Sequence, residues 1–397
     1  MKTLVYFCAG LLLCVLLCGC QGGVAAPSAA PEAEVTLSPA PAPTAAPLPT
    51  PEPTANPIDL LLAEMSIEEK CGQLLVAGIE GPSAGQDAIH AVAEVKAGGV
   101  ILFRRNVGSA EQVAALNESL RSLADLPLLL CVDEEGGRVS RMPPDRRPLP
   151  AMGKLPEDSD FFELGRALGE ELRALGYNVN FAPVLDVFSN PRNTVIGDRA
   201  FGSEPERVTA QALPFAQGLA AAGILPVGKH FPGHGDTAED SHTALPLVRK
   251  SLEELETLEL MPFCAAIEAG LPAVMVGHVL LTEVDAERPA SLSPAVVEGL
   301  LRQELGFEGL VFTDDLTMGA LKAHSMGERV VLAVEAGCDL LLVCHGQKNL
   351  AEAQAALVAA VSEGRISEER LDESLWRILC FKLGESGSDW SNWQKLT

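Results

Sequence analysis

The stretch ILPVGKHFPGHGDTAEDSHTALP, residues 224 to 246, joins a short apolar run to a glycine-rich loop. Three histidines (His230, His234, His242) and three acids (Asp236, Glu239, Asp240) follow the run within thirteen positions of Lys229. An apolar segment this short reads as a strand buried on both faces, which implies parallel pairing. Titratable side chains massed where such a strand ends mark a functional loop rather than a core.

Outward from this stretch the same unit recurs. Apolar runs stand at LLVAGI (74–79), GVILF (99–103), PLLLCVD (127–133), NVNFAPVLD (178–186), AVMVGH (273–278), LVFTDD (310–315) and DLLLVC (339–344). Together with ILPVGKH these make about eight strands. Helix-like stretches such as SAEQVAALNESLRSLA, PERVTAQALPFAQGLAAAG and SLEELETLELMPFCAAIEAG lie between them. Several close on glycine, as helices leading into strands do. The alternation predicts an α/β fold, a (β/α)8 barrel of the TIM type, with a doubly wound open sheet as the alternative. The barrel is preferred because polar motifs follow many strands rather than one or two.

The rest of the 397 residues divides by composition. Residues 1–20 hold an apolar run ending in LCGC, which resembles a bacterial lipobox, so Cys20 is expected to carry lipid. Two acyl chains would anchor the protein stably to the outer face of the bacterial cell membrane after export. Residues 21–57, almost all Ala, Pro, Ser, Thr, Gly and Glu, cannot offset their ordering entropy and read as a disordered tether. The catalytic barrel is expected over 58–385, opened by the capping box Ser66–Glu69, and 386–397 as a loose tail. Four cysteines fall in the leader; Cys71, Cys131, Cys264, Cys338, Cys344 and Cys380 sit mostly in apolar runs and read as buried thiols rather than disulfides. A net charge of −25 argues against nucleic acid as a partner. A monomer is expected.

In a barrel the strand ends converge on one mouth. That would gather Asp133, Arg141, Arg199, Lys229, His230, His242 and Asp314, a set suited to a ligand rich in hydroxyls. Retaining glycoside cleavage needs a carboxylate nucleophile and an acid/base group. Asp314 and Asp315 compete for the first role, since neighbouring strand residues face opposite ways and only one should reach the mouth. Asp240, two residues from His242, could hold one imidazole nitrogen and leave the other to move a proton. Gly233 and Gly235 are candidate hinges of that loop. Lys229 could instead be an ion-pair partner, Arg138 reads as structural, and His234 reads as a brace to backbone. The histidines and acids of the loop lack the helical spacing of a zinc site, so no metal is expected.

These motifs carry a resemblance. KHFPGHGDTAEDSHTALP (229–246), TDDLTMGA (313–320), IGDRAFG (196–202) and DEEGGRVSR (133–141) resemble the β-N-acetylhexosaminidase branch of glycoside hydrolase family 3. Glu134 stands where the branch often has glutamine, and Thr194 where it often has proline. The resemblance implies Asp314 as nucleophile and the Asp240–His242 dyad as acid/base. It also implies Asp133, Arg141, Arg199, Lys229 and His230 as ligands of a terminal N-acetylglucosamine, with cell-wall muropeptides as the substrate class and no cofactor. A phosphorylase using the same site, or an inactive sugar-binding lipoprotein, are the other expectations.

Overall fold

The structure, a computed structural model, describes residues 56–237, 241 and 244–384. The leader with Cys20, the tether up to residue 55, Asp240, His242 and the 386–397 tail lie outside the described residues. Asn56 and Pro57, assigned above to the tether, open the first helix, Pro57–Glu64; Asn56 caps it and Pro57 occupies a first-turn position that needs no N–H. Among the described residues, no helix is long and apolar enough to cross a membrane.

Eight strands pair in parallel: β1 Leu75–Gly78, β2 Gly99–Leu102, β3 Leu129–Val132, β4 Val179–Asn180, β5 Leu225–Phe231, β6 Ala273–Val276, β7 Leu310–Thr313 and β8 Leu341–Val343. Strand β8 pairs with β1 through Leu75 and Leu341. The ring closes between β7 and β8, where Phe312 bridges to Leu340 and Thr313 N donates to Leu340 O at 2.8 Å. This is the expected (β/α)8 barrel. Its strands read as unbroken apolar runs because one face packs the barrel interior and the other meets the helices. Inside, Phe181 meets Phe312 edge to face at 5.4 Å.

Sequence patterning overran in two places. The NVNFAPVLD segment keeps only two regular strand residues, because Pro183 offers no N–H to the ladder. Its extension is held irregularly, with Val227 N donating to Ala182 O and Lys229 N to Pro183 O. The 251–270 stretch forms two helices, Leu252–Glu256 and Met261–Glu268, with Pro262 in the first turn of the second. The helix-ending glycines do as expected: Gly176, Gly223, Gly270 and Gly337 all take positive φ where helix turns into strand. Cys71, Cys131, Cys338 and Cys344 are buried, reduced thiols.

One buried carboxylate ties the closing strands to two outer helices. Asp339, fully buried, accepts from Val311 N at 2.9 Å, Arg302 Nη2 at 2.7 Å, Arg377 Nη1 at 3.0 Å and Ser374 Oγ at 2.6 Å. Burial alone would raise its pKa, but the arginines hold it below the usual range. Removing it strands the buried Arg302 guanidinium. Asp339→Ala should therefore cost about 3–5 kcal/mol in urea unfolding; a loss below about 1 kcal/mol would show that the cluster does not hold the closure.

Candidate active site

The carboxyl ends of the strands open onto one cleft. Asp133, Arg141, Arg199, Lys229, His230 and Asp314 all line it, although they come from loops after β3, β4 and β7 and from β5 itself. Every described residue assigned to the site from sequence is thus brought together. Of the DSH segment, Ser241 is described; it is buried and lines the same cleft.

The floor is an ion cluster. Lys229 Nζ lies 2.5 Å from both Asp133 Oδ1 and Glu135 Oε1. Glu135 in turn takes the Arg199 fork, Nε to Oε2 at 2.7 Å and Nη2 to Oε1 at 2.9 Å. Burial alone would raise the Glu135 carboxyl, but Arg199 and Lys229 outweigh it and hold it well below the usual range. Burial would likewise discharge Lys229, yet Asp133 and Glu135 raise its pKa and keep it cationic. So Lys229 is an ion-pair partner of Asp133 and Glu135, and the Arg199 fork holds Glu135. Sequence reasoning missed Glu135. Its signal was present, a second acid immediately before Gly136-Gly137, but nothing in the pattern said which acid of DEEGG would turn inward.

The wall is set by Asp186, also unassigned from sequence. Its Oδ2 accepts from His230 Nδ1 at 2.7 Å, and its Oδ1 from His234 N at 2.6 Å. His230 Nε2 lies 3.4 Å from Arg199 Nη2. His234 braces the loop as expected, though to hydroxyls rather than backbone: Nδ1 meets Thr237 Oγ1 at 2.7 Å and Nε2 meets Ser241 Oγ at 3.2 Å. Arg138 is structural, donating to the carbonyls of Thr194, Val195 and Ile196. The expected hinges have a different reason to be glycine. A Cβ on Gly235 would sit 1.7 Å from Val187 O, and one on Gly233 2.7 Å from Glu259 Cβ, so both permit close approach.

Asp314 and Asp315 both line the cleft, against the expectation that alternation would turn one away. Strand β7 ends at Thr313, so the period of two no longer governs them. Their partners separate them. Asp315 accepts from Thr317 N, Thr317 Oγ1 and Cys344 N, which spends its oxygens on the turn and on β8. Asp314 accepts only from Asp315 N at 2.7 Å among the described residues. Burial would raise its pKa; the neighbouring His278, His230 and Lys229 reverse this and hold it below the usual carboxylate range. It is therefore an ionised carboxylate with an oxygen to spare. His278 sits behind it, its Nε2 donating to Asp315 O at 2.9 Å while Nδ1 meets Ser291 Oγ at 2.7 Å. Burial lowers the His278 pKa, against the raising influence of Asp314 and Asp315.

A barrel whose mouth gathers an unspent aspartate, a hydroxyl-binding set and a histidine-bearing loop is the architecture of a glycoside hydrolase. Residues 66–381 match the glycosyl hydrolase family 3 N-terminal domain, and the chain belongs to that family. It is 44% identical over 294 residues to a β-hexosaminidase of Methylococcus capsulatus, spanning 71% of this chain and 84% of that one. Among solved structures it is similar to a family 3 β-N-acetylglucosaminidase from Paenibacillus (TM-score 0.78, 45% identity), covering 80% of this chain and 62% of that enzyme. A β-N-acetylhexosaminidase from Beutenbergia cavernae is similar over 81% of this chain and 99% of its own (TM-score 0.76, 32% identity).

Glu135→Gln leaves two buried cations sharing one carboxylate. It should lower stability by about 3–5 kcal/mol in thermal or urea unfolding. A variant as stable as the parent would mean that the cations are paired some other way.

Proposed function

We propose that this glycoside hydrolase is a retaining exo-β-N-acetylglucosaminidase that works through a covalent glycosyl-Asp314 intermediate. The observation that carries the reading is Asp314: half-buried, held ionised, and supplied with one spare oxygen in the cleft that gathers Asp133, Arg141, Lys229 and His230. Its attack on the anomeric carbon expels the aglycone oxygen, which takes a proton from the His242 imidazolium. The resulting ester is neutral. His242, now a base, draws a proton from water, whose attack releases the sugar with its configuration retained. Asp240 orients the imidazole. Ser241 between them lines the cleft, which supports this assignment of the dyad. The β-hexosaminidase and β-N-acetylglucosaminidase relatives support N-acetylglucosamine as the terminal unit, and muropeptides are the substrate class that an anchor on Cys20 would bring within reach.

Aryl glycosides of N-acetylglucosamine, glucose and xylose assayed side by side test the substrate. Preference for the first, with free sugar released even when phosphate is supplied, is expected; equal rates, or sugar 1-phosphate as product, would overturn it. Asp314→Asn should lower kcat by at least about a thousandfold, of the order seen when a covalent nucleophile is lost, while N-acetylglucosamine still binds. Near-normal turnover would remove Asp314 from the mechanism. His242→Ala should lose far more activity on a disaccharide than on an aryl glycoside with a good leaving group, which needs little protonation. Equal losses would count against the dyad. Cys20→Ser should move the protein from the membrane fraction to the soluble one, and unchanged partition would refute the anchor.

A further inference from the structure

The hairpin after β3 contains a second carboxylate that the mechanism above does not use. Glu134 is fully buried, beside Glu135 in sequence but turned the other way. The chain reverses through Gly136 and Gly137, both at positive φ, and Gly136 pairs back to Val139. This fold-back brings the return arm over Glu134. Its Oε2 accepts from Arg141 N at 2.5 Å and Met142 N at 3.1 Å, and Asn180 on β4 fixes its own backbone, with Oδ1 accepting from Glu134 N at 3.0 Å.

Three polar atoms around this contact are buried with no hydrogen-bond partner among the described residues: Glu134 Oε1, Arg141 Nε and the Tyr177 hydroxyl. Tyr177 lies in the field of both Glu134 and Arg141. Buried polar atoms left unmatched cost free energy, and where they cluster beside a cleft they ask for a functional explanation. Arg141 also differs from the other cations of the cleft. Arg199 has its fork on Glu135 and Lys229 has two carboxylates, whereas the only hydrogen bond of the Arg141 guanidinium among the described residues is Nη1 to Ser140 O at 3.3 Å. Its donors remain for a ligand, so its position rests on its backbone, and its backbone rests on Glu134.

We infer that Glu134 is a positioning residue for substrate: it sets the Arg141 guanidinium in the cleft by anchoring the Arg141–Met142 backbone, and as a carboxyl it makes sugar binding depend on pH. The inference rests on the reading of Arg141 as a sugar ligand. The groups facing Glu134 are Arg141 and Ser140 from the return arm and Tyr177 ahead of β4. Burial drives its pKa up to about 7, with the backbone N–H groups of the return arm and Arg141 opposing. Tyr177 is pushed up by burial and stays a neutral hydroxyl. Below about pH 7 Glu134 is therefore neutral and its grip on the two N–H groups weakens; above it, the carboxylate makes charge-assisted bonds and holds Arg141 in place. Glutamine keeps the acceptor without the titration.

The test is KM and kcat on an aryl N-acetylglucosaminide, with the Kd of N-acetylglucosamine, across pH 5.5 to 8.5 for the full chain. Glu134→Ala should raise KM and Kd by about tenfold with kcat nearly unchanged, the loss of one charge-assisted anchor. Glu134→Gln should restore most of the affinity, and should lack the rise in KM that the parent shows as pH falls through about 7. Should Glu134→Ala fail to fold, the pH profile of Glu134→Gln decides alone. Identical profiles for parent and Glu134→Gln, or an Ala variant that loses kcat rather than affinity, would overturn the inference. Arg141→Ala separates the layers: if it leaves Kd unchanged, Arg141 does not hold the sugar and the underlying reading fails; if it weakens Kd while both Glu134 variants bind like the parent, only the positioning role fails.

Discussion

Two cations buried at the mouth of the barrel set the terms for everything around them. Lys229 and Arg199 could not remain charged there without partners, and Glu135 serves both, with Asp133 completing the lysine's share. Carboxylates so engaged cannot act as nucleophiles. Asp314, whose burial would favour taking up a proton, is held ionised instead by His278 and His230, by the amide N–H of Asp315 and, least of these, by Lys229. Asp314 is thus kept ionised with no direct ion pair on its oxygens among the described residues. A nucleophile needs both conditions, and a carboxylate in a conventional salt bridge meets only the first.

The fold was legible because its signal is redundant. Eight apolar runs of strand length, separated by helices that stop at glycine, admit few other arrangements, and closure by β7 and β8 confirms it. The residues of the site were legible for a different reason: they lie at strand ends or on the loops that follow them, and barrel topology carries all strand ends to one face. What could not be read was orientation beyond the strand ends. Asp314 and Asp315 lie past Thr313, and Lys229 and His230 lie at a break in the pairing of β5 with β6, so strict alternation fails at these cleft positions. Glu135 and Asp186 were overlooked because adjacency to a motif does not say which acid turns inward.

The resemblance implies Arg199 and Lys229 as sugar ligands, and the structure adds the protein carboxylates that each also holds. Residue type and spacing identify a donor; they do not show which protein group it also holds. Here the hairpin of DEEGGRVSR supplies a carboxylate for one set of cations and a backbone anchor for Arg141, from adjacent residues pointing apart.

The central claim, that Asp314 rather than Asp315 is the spare and ionised carboxylate, is met most directly by trapping. The enzyme would be incubated with a fluorinated, slowly hydrolysed N-acetylglucosaminyl fluoride, digested, and its peptides sequenced by mass spectrometry. The account predicts a single glycosyl adduct on Asp314. An adduct on Asp315 or on another acid would contradict it, as would turnover of the reagent with inverted configuration and no adduct.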